Sequence, residues 1–364
     1  MSVNKNDDNL VIKFSDSTKD IFFDVEGTED NSSDLYEHYN IKVDKGQSPL
    51  RIDKFLFNRI ENVSRNKIQE AAKSDCILVN GKPVKSNYKV KPLDVISIVL
   101  PNPPRDTEVL PEDIPLEVIY EDSDLLIINK PAGIVVHPAY SNYTGTLLNA
   151  LVFYLKTKEI GIKPELVHRL DKNTSGLLIV AKNEFTQVKL AKQFYEHTVE
   201  RKYNALVWGD FDENEGTINA NLGRHPKDRR VVTVYTDPDK GKNAITHYKV
   251  LKRFGYVTLI ECRLETGRTH QIRAHLKYLG HPLFGDQTYG GDEILHGTTF
   301  SKYKQFVQNC FTILNRQALH AVSLGFVHPR TDKYIKFEVD LPSDMREVLE
   351  KWERYTNHSI KMLK

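Results

Sequence analysis

Four short segments of this 364-residue chain combine turn-forming residues with side chains able to do chemistry. The first is Asn129-Lys-Pro-Ala-Gly-Ile-Val-Val-His137-Pro138, an apolar run broken by a Pro/Gly turn. The second is Val167-His-Arg-Leu-Asp171-Lys-Asn-Thr-Ser-Gly176, which leads into the apolar run Leu177–Val180. The third, Glu200-Arg-Lys-Tyr203, opens a strand. The fourth is Glu265-Thr-Gly-Arg268-Thr-His270-Gln-Ile-Arg273-Ala-His275-Leu. There Gly267 is expected to precede a helix whose first turn carries Arg268 and His270, with Arg273 and His275 on the next. A carboxylate in a turn before a buried strand sits on a rigid frame at a sheet edge. Thr174 and Ser175 are expected to fix that turn by local hydrogen bonds. Taken alone, Asp171 reads as a turn cap.

Several chemistries lack their signatures. No Gly-x-Ser-x-Gly elbow and no phosphate loop occur. His-Arg-Leu-Asp lacks the kinase catalytic-loop spacing and has no Gly-x-Gly-x-x-Gly upstream. His270 and His275 stand five apart, so they do not share a helix face as a metal-binding i, i+4 pair would. No metal site is expected. Serine hydrolases and nucleotide-driven enzymes are therefore poor candidates, and no nucleotide cofactor is expected.

The elements that must position these residues are mostly strands. Strand-like runs cover Val118–Tyr120, Leu125–Ile128, Gly176–Ala181, Tyr203–Trp208, Tyr256–Leu264 and Tyr334–Val339. Helical patterns cover Glu184–Tyr195, Arg268–Leu279 and Ser343–Trp352. Strands outnumber helices and do not alternate with them. That predicts an α+β domain over 116–349, a mixed, mainly antiparallel sheet with packed helices. Ahead of it, residues 49–100 form a small α+β domain. Ile52, Phe55, Leu56 and Ile60 recur at helical spacing. Ser64 is placed to cap a second helix. Asn80-Gly81 between two apolar runs signals a hairpin. Lys54, Arg65 and Lys67 lie on the polar side of the two helices, a rigid frame of positive charge of the kind phosphate contacts need. Residues 101–115 contain Pro101-Asn-Pro-Pro104 and read as a stiff linker. Residues 1–40 read as an acidic, loosely ordered extension.

Charge is unevenly placed although the net is only +2. Residues 1–40 hold 3 Lys against 10 acids, residues 41–100 hold 12 basic and 6 acidic residues, and residues 223–253 hold 9 and 3. Such asymmetry suggests separate modules, at least one facing a polyanion. No apolar run approaches the roughly 20 residues a membrane helix needs, so no membrane partner is expected. The polar start carries no secretory signal. Cys76, Cys262 and Cys310 are far apart and read as free thiols, which places the protein in the cytoplasm.

Residues 49–100 resemble the alpha-L RNA-binding module through Arg51-Ile-Asp-Lys-Phe-Leu, Ser64-Arg-Asn-Lys-Ile-Gln and Val79-Asn-Gly-Lys-Pro-Val-Lys. The larger domain resembles the RluA/RluD-type family of RNA pseudouridine synthases. The matching strings are Lys-Pro-Ala-Gly-x-x-Val-His-Pro, His-Arg-Leu-Asp-x-x-Thr-Ser-Gly-Leu-Leu, Arg-Lys-Tyr-x-Ala-Leu-Val-x-Gly and Thr-Gly-Arg-Thr-His-Gln-Ile-Arg-x-His-Leu. Gly280-His-Pro-Leu-Phe-Gly-Asp286 and Leu319-His-Ala follow in the same order. The likeness runs from about Val118 to Leu341.

The resemblance implies a pseudouridine synthase fold and the conversion of uridine in RNA to pseudouridine, without cofactor or metal. It makes Asp171 the catalytic carboxylate. Burial disfavours a carboxylate's charge, and the resemblance supplies a counter-charge in Arg273. Tyr203 becomes the active-site tyrosine, stacking on the target base and helping to remove the carbon-five proton. Arg169 matches an arginine that enters the RNA in place of the extruded nucleotide. Lys130 and His137 are expected at the pocket rim against RNA, and Arg268 and His270 also as RNA contacts. His168 is expected to support the turn, and Ile272 and Leu276 to be core. The implied partner is large-subunit (23S) ribosomal RNA, acted on by a monomer. Transfer RNA is the alternative substrate. A silent RNA-binding assembly factor is the runner-up function. A glycoside-cleaving hydrolase would want a second placed carboxylate.

Overall fold

The structure is a computed structural model that describes residues 36–60, 63–100, 109–138, 144–158, 163–228 and 231–362. Most of the acidic extension and residues 101–108 of the linker fall outside those ranges. The chain forms two compact units, Met1–Val109 and Leu110–Lys364. No helix among the described residues is long and apolar enough to cross a membrane.

In the first unit the elements run β1 (Tyr36–Lys42), β2 (Leu50–Arg51), α1 (Ile52–Arg59), α2 (Arg65–Lys73), β3 (Ile77–Val79), β4 (Lys82–Pro83), β5 (Lys89–Val90) and β6 (Val95–Leu100). The helical spacing of Ile52, Phe55 and Leu56 buries one stripe of α1. That stripe packs on Ile68, Ala71 and Ala72 of α2 and on Ile77, Val79, Ile96 and Ile98. Asn80 and Gly81 both take positive φ, 52° and 78°, the backbone that a two-residue hairpin requires. The fully buried Asp53 accepts hydrogen bonds from Arg51, Arg65 and Gln69. Burial works against its charge, but these donors outweigh it and hold the carboxyl well below the usual range. One boundary differs from the sequence reading. Residues 36–40, assigned above to the extension, belong to β1 and pair antiparallel with β6. Tyr39 and Ile41 pack from one side of that strand onto the core, so this stretch has a face to bury.

The second unit contains β7 (Val118–Glu121), β8 (Leu125–Lys130), α3 (Leu147–Lys158), β9 (Glu165–Leu166), β10 (Ser175–Ala181), α4 (Glu184–Tyr195), β11 (Glu200–Trp208), β12 (Glu215–Arg224), β13 (Val232–Tyr235), β14 (Lys242–Arg253), β15 (Val257–Leu264), α5 (Gln271–Tyr278), α6 (Ser301–Ile313), β16 (Leu319–Val327), β17 (Tyr334–Glu338) and α7 (Ser343–Met362). The strands form one eleven-stranded sheet in the order β13-β12-β14-β15-β11-β16-β10-β8-β7, with β17 on β16 and β9 on β10. Among the described residues only the β10–β16 pairing is parallel. This is the mixed, mainly antiparallel α+β arrangement expected from the sequence.

The sheet's middle explains its sequence. Every residue of β10 is buried. Leu178 and Val180 face the core that holds Leu147, Leu151, Ile272 and Leu276. Leu177, Ile179 and Ala181 face the core that holds Leu190 and Phe326. A strand covered on both faces reads as a continuous apolar run, as here. Gly176 is what lets β10 meet β16. It pairs with Ala321, its φ is 114°, and a Cβ there would lie 2.3 Å from the Ala321 carbonyl oxygen. The Asp171 turn is therefore anchored at the start of the most enclosed strand.

Candidate active site

The Asp171 turn is tied on both sides. The Thr174 amide donates to the Asp171 carbonyl at 3.1 Å. The Lys172 carbonyl accepts from the Gly133 amide at 2.9 Å and from Lys130 Nζ at 3.1 Å. Contrary to the expectation above, the Thr174 and Ser175 hydroxyls bond to distant residues rather than within the turn. Thr174 accepts from Gln317, and Ser175 meets His320 Nδ1 at 2.8 Å across the β10–β16 junction. His168 does support the turn: its Nε2 accepts the Ile179 amide at 3.0 Å, which fixes the ring as neutral with Nδ1 protonated. Burial, with Arg201 nearby, pushes it down to about 3.

The fourth segment is held by Gln271. Its Oε1 accepts from the Arg268 amide and the Thr266 hydroxyl, and its Nε2 donates to the Ile245 carbonyl and Thr246. Here the structure corrects the sequence reading. Arg268 and His270 are not in a first helical turn; α5 begins at Gln271, and His270 sits left-handed at its N-cap with φ 52°. The preceding residues form a tight turn because Gln271 binds back to it.

That geometry turns Arg273, in the first turn of α5, toward Asp171. Arg273 Nη1 donates to Asp171 Oδ2 at 3.1 Å. Its other edge makes a bidentate pair with Asp286, at 2.7 Å and 2.9 Å. Asp286 is fully buried and also accepts the Thr288 and Tyr289 amides. Burial works against Arg273's charge, but Asp286 first and Asp171 second raise its pKa well above the ordinary value. The Tyr289 ring lies 5.0 Å under the guanidinium, and its hydroxyl contacts His270 Nδ1 at 3.1 Å. His270 Nε2 stands 3.8 Å from Asp171 Oδ2. Burial lowers the His270 pKa, although Asp171 pulls the other way.

These groups share a cavity of about 640 Å³, lined by Asp171, Tyr203, Arg273, His270, Arg169 and Arg268, among others. Tyr203 is nearly buried, and burial pushes its phenol up, with Arg201 working against the shift and Asp171 adding to it. Arg169 and Arg268 are exposed at the mouth, where Arg268 Nε also donates to the Asn243 carbonyl. A larger groove of about 1460 Å³ opens elsewhere on the unit, but neither Asp171 nor Tyr203 lines it. The smaller cavity is the one with converging reactive groups.

Lys130 does not do what its sequence position suggested. It is fully buried, and its ammonium donates to the carbonyls of Pro131, Ile134 and Lys172. Three acceptors saturate its three protons, so none is left for RNA. Burial pushes its pKa down to about 7. Neither Lys130 nor His137 is among the described residues lining the cavity. In the first unit Lys54 is exposed on α1. Arg65 is half committed to the buried Asp53 at 2.9 Å. Lys67 lies in α2, and its side chain is outside the described residues. The sequence reading missed Asp286, Tyr289 and Arg201. A signal existed for the first: a buried arginine has two donor edges, and Asp171 occupies only one.

The chain is similar to known proteins in both units. Residues 124–278 match the family described as RNA pseudouridylate synthase, and residues 50–96 match the S4 domain. The chain is 47% identical over 317 residues to an uncharacterized RNA pseudouridine synthase of Chlorobaculum parvum, covering 85% of this chain and 96% of that protein. It is 40% identical to ribosomal large subunit pseudouridine synthase D of Zymomonas mobilis, covering 81% and 92%. It is 37% identical to the protein of the same name from Nitrosomonas europaea, covering 92% of each chain. Among solved structures, human RNA pseudouridylate synthase domain containing 4 shares the fold, with a TM-score of 0.50 at 21% identity, over 65% of this chain and 93% of that one.

Proposed function

Since this chain belongs to the RNA pseudouridylate synthase family, we propose that it isomerises uridines of large-subunit ribosomal RNA through Asp171. The observation that carries the role of Asp171 is the Arg273 fork, which holds the catalytic carboxylate with one edge and Asp286 with the other. A carboxylate so held is fixed in place beside a permanent counter-charge.

The reaction conserves every atom, so it needs no electron acceptor and no donor group. The uridine leaves its stack, and Arg169 at the cavity mouth takes the vacated space. Extrusion of a base costs a few kcal/mol, which such an insertion offsets. The base stacks on Tyr203. Asp171 then acts on the sugar, as a nucleophile at C1′ or as a base at C2′, and the N1–C1′ bond breaks. The ring turns and C5 bonds to C1′, which releases the Asp171 oxygen from C1′ on the first route or returns the proton to C2′ on the second; C5 then loses its proton and N1, which left with the bonding pair, takes one up. Burial keeps the Tyr203 phenol protonated at neutral pH. It therefore relays the C5 proton rather than starting as a base.

The ribosomal substrate is supported by the relatives named large-subunit synthases and by the S4 match. A second binding module adds affinity for a large folded RNA by linkage. Release of tritium from RNA labelled at uridine C5 tests the activity. Release from 23S ribosomal RNA and not from transfer RNA is expected. Release from transfer RNA alone contradicts the substrate assignment, and no release from either contradicts turnover.

A further inference from the structure

Arg201 is a buried cation that the fold leaves without a counter-charge. It stands two residues before Tyr203 on β11, so both point to one face of the strand, about 7 Å apart along it. Both line the Asp171 cavity, whereas the intervening Lys202 lines the groove elsewhere. Arg201 is 7% exposed. Its Nη2 makes one long contact, 3.3 Å, to the Glu265 carbonyl, and its guanidinium lies 5.5 Å from the Phe194 ring centroid. Its Nε is buried and has no partner among the described residues. Arg273, Arg316 and Arg330 each pair with a carboxylate, but no carboxylate among the described residues pairs with Arg201.

The chain also makes room for this group. A Cβ on Gly267 would lie 2.7 Å from Arg201 Nη1. The glycine of the Thr-Gly-Arg-Thr-His turn thus admits a guanidinium beneath it. A buried charge is costly unless something compensates it. Here the compensating anion is absent from the protein and must come with the substrate.

Resting on the function proposed above, we propose that Arg201 stabilises the negative charge that collects on the uracil ring as the N1–C1′ bond breaks. The bonding pair goes to N1 and spreads to the ring oxygens, while Asp171 meets the electron deficit at the sugar. Arg201 transfers no proton; it supplies a fixed positive field in a cavity where such fields are strong. Phosphates are larger and more hydrated, and the exposed Arg169 and Arg268 at the mouth meet them first. The flat base is what reaches the depth of Tyr203 and Arg201.

The test uses the full chain with Arg201→Met, which keeps volume and removes charge, and Arg201→Lys, which keeps charge. Each is assayed in single turnover on uridine RNA and on 5-fluorouridine RNA, following loss of the N-linked nucleoside. Fluorine withdraws electrons and makes the ring a better leaving group. Arg201→Met should slow uridine cleavage about 10²- to 10³-fold. Its RNA affinity should be unchanged and its melting temperature not lowered, since an unpaired charge has gone. The defect should shrink severalfold on 5-fluorouridine RNA, and Arg201→Lys should retain part of the rate. An unimpaired Arg201→Met, equal losses on both RNAs, or weakened affinity at an unchanged saturated rate would each overturn the inference alone. Wild-type protein that leaves uridine intact overturns the proposed function as well.

Discussion

Arg273 holds Asp171 by one nitrogen and Asp286 by two, so the site's geometry depends more on Asp286 than on the aspartate it serves. Asp286→Asn keeps the shape but weakens the fork. We expect turnover to fall about 10- to 100-fold with KM little changed, because a small misplacement of a reacting group costs that much. Steady-state kinetics check it, and an unchanged kcat would show that Asp171 alone orients Arg273. Tyr203→Phe separates the two jobs of that ring. Stacking survives and proton transfer does not, so RNA affinity should hold while kcat falls about 10²-fold; full activity would leave the hydroxyl without an essential part. That Asp171, Tyr203 and Arg273 share one cavity was legible in the sequence, because their motifs agree in order. Asp286 and Arg201 were not, because a residue's counter-charge depends on folding that brings distant segments together. Lys130 misled for a related reason. A lysine beside a Pro/Gly turn looks like a free cation until the turn's own carbonyls enclose it.

The elements were legible where their pattern matched one environment. β10 is an apolar run because it is covered on both faces, and α4 was bounded correctly at Glu184 and Tyr195. Two helices were missed. α3 is apolar on most sides of its first turns, Leu147 to Leu151, so it shows no stripe of helical period. α6 buries Tyr303, Val307 and Cys310, a stripe diluted by β-branched and aromatic residues. The start of α5 was misplaced because the Gln271 side chain binds back to Arg268 and Thr266 while it is held from β14 by Ile245 and Thr246, a tie the local sequence does not show. Gly176 carries the strongest prediction at this scale. Gly176→Ala forces a Cβ to 2.3 Å from the Ala321 carbonyl oxygen at a φ of 114°. We expect a loss of about 3 kcal/mol or more by denaturant unfolding, from strain at both the backbone and the β10–β16 contact. A variant as stable as the parent would mean that this junction yields easily.

Acid sensitivity is a property of the whole catalytic unit. His275 and His320 are fully buried, and burial pushes each down to about 4. A histidine depressed in the folded state stays neutral there while the unfolded chain takes up a proton near pH 6.5. Its contribution is therefore present above about pH 6.5 and is lost as pH falls toward 4. At pH 5 that amounts to about 1–2 kcal/mol for each histidine. Unfolding midpoints measured from pH 7.5 to 5 should fall steadily, and His320→Asn should flatten the slope. Both units serve one claim, that RNA is gripped by the molecule and isomerised at Asp171. The most direct measurement is pseudouridine formed in 23S ribosomal RNA by the full chain carrying Asp171→Asn, with RNA affinity measured alongside. We expect affinity to stay within about 1 kcal/mol of the parent while no pseudouridine forms. Pseudouridine formed at the parent's rate would contradict the account.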